Sequence, residues 1–226
     1  MRREELAQNL GEVEQRIAGA CRAAHRPRSE VTLVVVTKTR PASDAILLRD
    51  LGVRDLAENR DQEARGKAAA VTGVRWHFVG QLQTNKARSV ASYADVVHSV
   101  DRPGLVDALS QGATRAGRSV EALLQVSLDG QRGGALPEDL LALADRVVAA
   151  DGLLLRGVMA VAPLGMDPAE AFGRLQVVAA DLTSLHPSAT VISAGMSADL
   201  EPAIAAGATH VRVGTAVLGH RSPHLR

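Results

Sequence analysis

The chain has 226 residues, a formal net charge of +1 and an aromatic content of only 2%. This near-neutral charge and scarcity of aromatics argue against a nucleic-acid-binding surface, which is basic and carries rings that stack on bases. The single cysteine, Cys21, excludes an internal disulfide and a metal site built from several thiolates. The sequence begins without an apolar leader and contains no apolar run long enough to cross a membrane, so we expect a cytoplasmic protein with no membrane partner.

Helical and strand patterns alternate along the whole chain. Apolar residues recur at helical spacing over residues 4–24, which predicts an N-terminal amphipathic helix. Apolar and β-branched runs predict eight strands, at residues 31–36, 53–57, 75–79, 94–99, 120–128, 153–161, 189–193 and 209–213. Helical patterns lie between strands at residues 44–51, 60–70, 103–116, 137–149, 168–185 and 198–206.

This alternation is typical of a parallel α/β sheet, and eight units favour a closed (β/α)8 barrel over an open sheet. The sequence has no linker or shift in composition, so we expect a single domain over residues 1–226, with an N-terminal helical region (1–28) and a short tail (220–226). Active sites of such barrels lie at the carboxyl ends of the strands. Polar residues that follow each strand are therefore the candidates for function.

Lys38 is the first of these candidates, because it follows the apolar run from Val31 to Val36. Partial burial at a strand end disfavours an ammonium group and lowers a lysine's pKa. A neutral amine in a sheltered pocket is the group that forms a Schiff base with an aldehyde. The alternative is a solvated lysine at the end of a strand.

The loops after the last two strands are candidates for an anion site. Ser197 precedes the predicted helix 198–206 as a natural N-cap, and backbone amides at a helix start bind anions. Gly214 and Thr215 supply an amide and a hydroxyl from the neighbouring loop, where barrels commonly bind phosphate. The alternative is an ordinary capped helix followed by a turn.

Arg212 lies within an apolar strand and needs a partner or a polar pocket there. It either pairs with a carboxylate such as Glu58 or points into the mouth of the barrel. His77, in the third strand, is interpreted as a histidine satisfied within the core. His220 and His224 are four residues apart, but a proline separates them, so we predict no metal site.

Five motifs occur in an order that resembles a known family, the pyridoxal 5′-phosphate (PLP) homeostasis proteins. The likeness covers nearly the whole chain, from the first helix to Gly219. The residues that carry it are Lys38, Glu58-Asn59, His77-Phe78-Val79-Gly80-x-Leu82-Gln83-x-Asn85-Lys86, Gly195-Met196-Ser197-x-Asp199 and Val211-Arg212-x-Gly214-Thr215.

The resemblance implies a single barrel like the N-terminal domain of alanine racemase, carrying PLP as its cofactor. It implies that Lys38 holds PLP as an internal aldimine, and that Asn59 and Met196 line the surroundings of the ring. The family is thought to store, deliver or buffer the cofactor, which implies PLP-dependent apo-enzymes as partners and an effect on amino-acid and keto-acid balance.

By the same likeness, Ser197, Gly214 and Thr215 hold the phosphate and Arg212 faces the pyridine nitrogen. An arginine in that place keeps the nitrogen unprotonated and weakens the ring as an electron sink. The only tyrosine, Tyr93, lies in a helix–strand link, so no acid or base is expected opposite the lysine. We therefore expect no catalytic residues, and the modest apolar surface favours a monomer.

Three positions depart from the family pattern: Ala57 where glycine is usual, Ala194 where a larger apolar residue is usual, and Arg132 where the loop often has lysine. None of them is a residue expected to bind the cofactor. Three other functions stay open at this point: a PLP-dependent amino-acid racemase of low activity, a cofactor-free Schiff-base aldolase acting on a phosphosugar, and a cofactor-free interaction protein.

Overall fold

Eight parallel strands form a closed barrel in a computed structural model that describes residues 1–131 and 133–219. Each strand pairs with its neighbour in the chain, and β1 pairs with β8 to close the barrel. The (β/α)8 prediction is confirmed. The strands are β1 (Thr32–Val36), β2 (Asp55–Glu58), β3 (Arg75–Phe78), β4 (Val96–Val100), β5 (Val120–Gln125), β6 (Leu153–Met159), β7 (Val191–Ser193) and β8 (His210–Val213).

Helices surround the barrel and bury their apolar faces against the outer side of the strands. The helices are α1 (Arg2–Ala23), α2 (Ala42–Asp50), α3 (Asp61–Ala70), α4 (Ala87–Ala91), α5 (Pro103–Ala116), α6 (Leu140–Val148), α7 (Pro168–Leu185), α8 (Leu200–Ala205) and α9 (Thr215–Leu218). Within the part of the chain that the structure describes, no helix has both the length and the apolar character needed to span a membrane.

Helix α1 precedes the first strand and covers the side of the barrel where α8 and α9 lie. Its buried residues Leu6, Val13 and Ile17 recur at helical spacing and join one apolar cluster with Ile204 and Val217. Arginine side chains add polar contacts along this seam. The helix thereby fixes the loops that follow β7 and β8.

Two short helices, α4 and α9, are absent from the sequence-based prediction. Each has only four or five residues, which is too short for a helical period to be recognised. Helix α8 also begins later than predicted, at Leu200 rather than at residue 198. His220 and His224, which we discounted as metal ligands, lie outside the described residues.

Candidate functional site

Lys38 lies at the mouth of the barrel, two residues beyond the end of β1. Its side chain is exposed, so the expectation of a partly buried, desolvated amine is wrong. Thr37, its neighbour, is fully buried. Its backbone amide donates a 2.9 Å hydrogen bond to the carbonyl of Ala57, which continues the pairing of β1 with β2. The chain therefore leaves the sheet between Thr37 and Lys38, and this leaves the amine free to reach a ligand.

The residue after Lys38 has an unusual backbone. Thr39 has a φ of 63°, in the left-handed region that β-branched residues rarely adopt. Its amide donates a 2.9 Å hydrogen bond to Oε2 of Glu63, near the start of α3. This contact holds the strained turn, and so it fixes the direction in which the chain carries Lys38 past the mouth.

Lys38 shares a cleft of about 270 Å³ with Gly214 and Thr215, at the start of α9. The backbones are close together here, because a Cβ on Gly214 would lie 3.2 Å from the carbonyl oxygen of Val36. The structure thus brings the predicted lysine and two of the predicted phosphate residues to one place. Glycine at this position avoids the tight contact that a Cβ would make with the carbonyl oxygen.

Ser197 does not cap α8, contrary to the prediction from its position; Asp199 occupies the N-cap position. The Ser197 hydroxyl instead accepts a 3.4 Å hydrogen bond from the amide of Ala216 in α9. Arg16 of α1 donates to the Ser197 carbonyl at 3.0 Å. Ser197 therefore belongs to the same corner of the mouth as Thr215, although the reason is contact with α9 rather than helix capping.

Met196 lies beside this corner with 40% of its surface exposed. Its amide donates a 2.6 Å hydrogen bond to Oδ1 of Asp199, which closes the turn between β7 and α8. The preceding Gly195 has a φ of 86°, and a Cβ there would lie 2.6 Å from that of Ala203. The turn thus needs glycine at position 195 and presents Met196 towards solvent at the mouth.

Arg212 is buried inside the barrel with 5% of its surface exposed. It does not pair with Glu58. Its guanidinium donates to the Ser193 carbonyl and hydroxyl, at 2.8 and 2.7 Å, and to the Ala160 carbonyl at 3.0 Å. Burial without a contacting carboxylate lowers the pKa of Arg212 to about 10. Its partners lie at the carboxyl ends of β6 and β7, so the cation is held just below the mouth.

Glu58 instead forms a buried ion pair with Lys67 of α3, with 2.5 Å between Oε1 and Nζ. The Thr37 hydroxyl donates to the same oxygen at 2.5 Å, and Lys67 also donates to the Thr37 carbonyl at 2.7 Å. Burial outweighs these contacts and raises the pKa of Glu58. The pair joins α3 to the residue that immediately precedes Lys38, a connection that the sequence did not reveal.

Asn59 directly follows β2, the neighbour of β1 in the barrel, but it does not line the cleft of Lys38. It lines a larger cavity of about 790 Å³ together with Phe78 and Lys86. Its Oδ1 atom is buried without a hydrogen-bond partner among residues 1–131 and 133–219. A Cβ on Gly80 would lie 2.2 Å from the Asn59 carbonyl oxygen, which explains the glycine after β3.

Comparison with known proteins identifies the family. A family model described as the alanine racemase N-terminal domain matches residues 8–222. The chain is 41% identical to a Mycobacterium tuberculosis protein named pyridoxal phosphate homeostasis protein, over 97% of this chain and 94% of that one. The chain belongs to the pyridoxal phosphate homeostasis protein family.

Two solved structures resemble the barrel. The PLP-bound structure of PipY from Synechococcus elongatus is 36% identical, with a TM-score of 0.82, over 95% of this chain and all of that one. Alanine racemase from Clostridium difficile is 14% identical, with a TM-score of 0.77, over 98% of this chain and 58% of that one. The second likeness shows the fold alone, and it confirms the predicted similarity to the N-terminal part of a racemase.

At two of the three positions that depart from the family pattern, the backbone is buried and regularly hydrogen-bonded. Ala57 is buried in β2 and pairs in regular parallel register with Val36 and His77, so the absence of glycine creates no strain. Ala194 is buried, and its amide donates a 3.0 Å bond to the carbonyl of His210. Arg132 lies outside the described residues.

His77 is satisfied within the core, as predicted, by two partners that the sequence did not indicate. Its Nδ1 lies 2.8 Å from Nε2 of His98, and its Nε2 lies 2.9 Å from Oδ1 of Asp55. His98 Nδ1 in turn lies 2.9 Å from the hydroxyl of Ser193, which also receives a hydrogen bond from Arg212. A continuous buried polar chain thus extends through the barrel to the arginine below the mouth.

Proposed function

We propose that this protein binds PLP at the mouth of its barrel through Lys38 and serves as a cytoplasmic, monomeric carrier in PLP homeostasis. The observation that carries the proposal is the shared cleft of Lys38, Gly214 and Thr215, with Arg212 held below the neighbouring strand ends. Membership of the family and the PLP-bound PipY relative support the same conclusion.

Each residue of the cleft has a role that its chemistry allows. When bound, PLP supplies an electrophilic aldehyde, a phosphate and a pyridine ring. Lys38 would contribute the amine that condenses with the aldehyde, with release of water. Ser197 and Thr215 would donate hydroxyl hydrogen bonds to the phosphate, and Gly214 would let the backbone approach it closely.

The remaining residues would set the position and electronic state of the ring. A guanidinium carries donors and no acceptor, so Arg212 facing the pyridine nitrogen leaves that nitrogen unprotonated. Met196 is exposed beside Ser197, and the unpartnered Oδ1 of Asn59 is an acceptor at the carboxyl end of β2. These two residues would line the surroundings of the ring.

The surroundings of Tyr93 favour a carrier over an enzyme. Its hydroxyl donates to Asp61 at 3.3 Å, and burial followed by the charge of Asp61 raises its pKa far above the usual range. A phenol held in this way stays protonated and cannot act as the base that a racemase needs. The proposed role is therefore storage of the cofactor and its delivery to PLP-dependent apo-enzymes.

The visible absorption spectrum of the purified protein tests the proposal. After incubation with PLP, we expect an absorption band that borohydride removes in the wild-type protein, and no such band in Lys38→Ala. Lys86→Ala is the matched control, because Lys86 is another exposed lysine at the mouth and lines the larger cavity. The control should retain the band.

The outcomes separate the alternative functions. A protein without the band after incubation with PLP would contradict the proposal and favour an aldolase or an interaction protein. A band retained in Lys38→Ala but lost in Lys86→Ala would move the site to the larger cavity. If the protein fully loaded with PLP converted several amino acids, the proposed carrier function would be wrong and a racemase would be favoured.

A further inference from the structure

Five polar side chains form a continuous series of hydrogen bonds below the mouth of the barrel. It starts at Asp55 at the amino end of β2, continues through His77 and His98, and reaches Ser193 and then Arg212 near the carboxyl ends of their strands. The two rings and Ser193 have 0–1% of their surface exposed. No group of three metal-ligating side chains within residues 1–131 and 133–219 could hold a metal ion, so this cluster is not a metal centre.

With neutral rings, only one placement of protons satisfies all four hydrogen bonds. Arg212 has no acceptor, so Ser193 accepts from it and directs its own proton to Nδ1 of His98. His98 then carries its proton on Nε2 and donates to Nδ1 of His77. His77 carries its proton on Nε2 and donates to the carboxylate of Asp55. Each donor in the chain therefore points away from Arg212 and towards Asp55.

We infer that Asp55, His77, His98 and Ser193 form a positioning relay that holds the guanidinium of Arg212 in place and links its charge to a carboxylate that it does not touch. The inference rests on the proposed function, because Arg212 is the group expected to face the pyridine nitrogen. The relay residues touch no ligand. They act by fixing the orientation of Arg212 and by polarising its hydrogen bond to Ser193.

Few charged groups face the relay from the elements around it. Arg75 of β3 lies 4.0 Å from Asp55 but forms its closer pair, at 2.7 Å, with Glu121 of β5. The ring of His210 in β8 lies 6.4 Å from that of His77. All of these groups lie towards the Asp55 end, whereas at the other end the charge of Asp199 acts on Arg212 without a direct contact. Among the described residues, Ser193 is the only one whose side chain hydrogen-bonds Arg212.

Nitrogen-15 NMR of the wild-type protein without PLP tests the proton order directly. We expect His98 to be protonated on Nε2 only, and we expect the guanidinium protons of Arg212 to exchange slowly with water. Protonation of His98 on Nδ1 would reverse the relay and overturn the inference. This measurement does not depend on cofactor binding, so it stands even if the proposed function fails.

Ser193→Ala interrupts the relay between Arg212 and His98 with a small change in volume. Ser99→Ala is the matched control, because Ser99 is a buried serine next to His98 whose hydroxyl has no hydrogen-bond partner in residues 1–131 and 133–219. We expect Ser193→Ala to accelerate exchange of the Arg212 protons and to raise the dissociation constant for PLP about tenfold. The control should change neither quantity.

Asp55→Asn tests the far end of the relay while keeping its shape. Loss of the carboxylate leaves the charge of Arg212 less compensated, so we expect the pH midpoint of the visible band of the loaded protein to fall. A band whose midpoint and PLP affinity are the same in Ser193→Ala, Asp55→Asn and Ser99→Ala would show that the four residues only fill the barrel. A protein that binds no PLP would instead contradict the proposed function, and the NMR result would then decide the relay alone.

Discussion

The barrel interior and the barrel mouth differ in how far their polar groups are satisfied by hydrogen bonds within the protein. Inside, His77, His98 and Arg212 are buried and each has two or more hydrogen-bond partners. At the mouth, Lys38 is exposed without a partner among the described residues, and Oδ1 of Asn59 is unsatisfied. These three interior groups are therefore satisfied without a ligand, whereas the mouth presents groups that a ligand can satisfy.

The two lysines beside Thr37 show the same contrast at short range. Lys67 is buried and bonds both the Thr37 carbonyl and Glu58, whereas Lys38 is the next residue in the chain after Thr37 and is exposed. A buried, paired ammonium has a structural role. The exposed one is available for chemistry because its neighbour has already fixed the end of β1.

Among the substitutions compared at pH 7, the largest expected effect comes from breaking the interior pair. Lys67→Met leaves Glu58 buried without its counter-ion, which should lower the free energy of unfolding by about 3–5 kcal/mol. Urea unfolding at pH 7 measures it. Arg174→Met removes an exposed partner of Glu170 and should change stability by less than about 1 kcal/mol. Equal changes in the free energy of unfolding would show that the buried ion pair contributes no more to stability than the exposed one.

A glycine at the mouth gives the next largest effect. Gly80→Ala would place a Cβ against the backbone of Asn59 and should lower the free energy of unfolding by about 1–3 kcal/mol. PLP affinity should fall with it, because the loops after β2 and β3 must separate. Gly66→Ala in α3 meets no neighbouring atom and should stabilise the protein by about 0.5–1 kcal/mol. Gly80→Ala that bound PLP normally would argue that this edge of the mouth is not part of the site.

Acid should destabilise the protein through the interior histidines. Burial holds the pKa of His98 well below its ordinary 6.5 and lowers that of His210 to about 4. The unfolded chain therefore binds protons below pH 6.5 that the folded chain does not. Stability should be fully present above pH 6.5 and fall by about 1.4 kcal/mol per pH unit for each histidine as the pH drops towards 4.

Denaturant unfolding at a series of pH values between 7 and 4 measures this slope. His98→Leu should reduce the slope by the share of one histidine, whatever its effect on stability at pH 7. A slope that remains unchanged in this variant would assign the protons to other groups.

The sequence predicted the fold well, because eight apolar runs separated by helical periods leave few alternatives to a barrel. It also placed Lys38, Gly214 and Thr215 at the mouth, since each lies one or two residues beyond the end of a strand. It failed where a role depends on contacts between distant residues. The length of a strand cannot reveal that Asp55, His98 and Ser193 meet through the barrel, and the cap pattern before α8 placed Ser197 correctly for the wrong reason.

The smallest expected effect concerns the turn that carries Lys38. Thr39 has a left-handed backbone, which glycine adopts without steric strain but at a greater loss of chain entropy on folding. The two terms nearly cancel, so Thr39→Gly should change the free energy of unfolding by less than about 1 kcal/mol. Thr39→Ala keeps the Cβ and isolates the loss of the hydroxyl. Because the Thr39 amide still donates to Glu63 in both variants, the turn should persist and PLP affinity should fall only slightly. A large loss of PLP binding in Thr39→Gly, with unfolding unchanged, would mean that strain at the mouth, rather than the hydrogen bond to Glu63, orients Lys38.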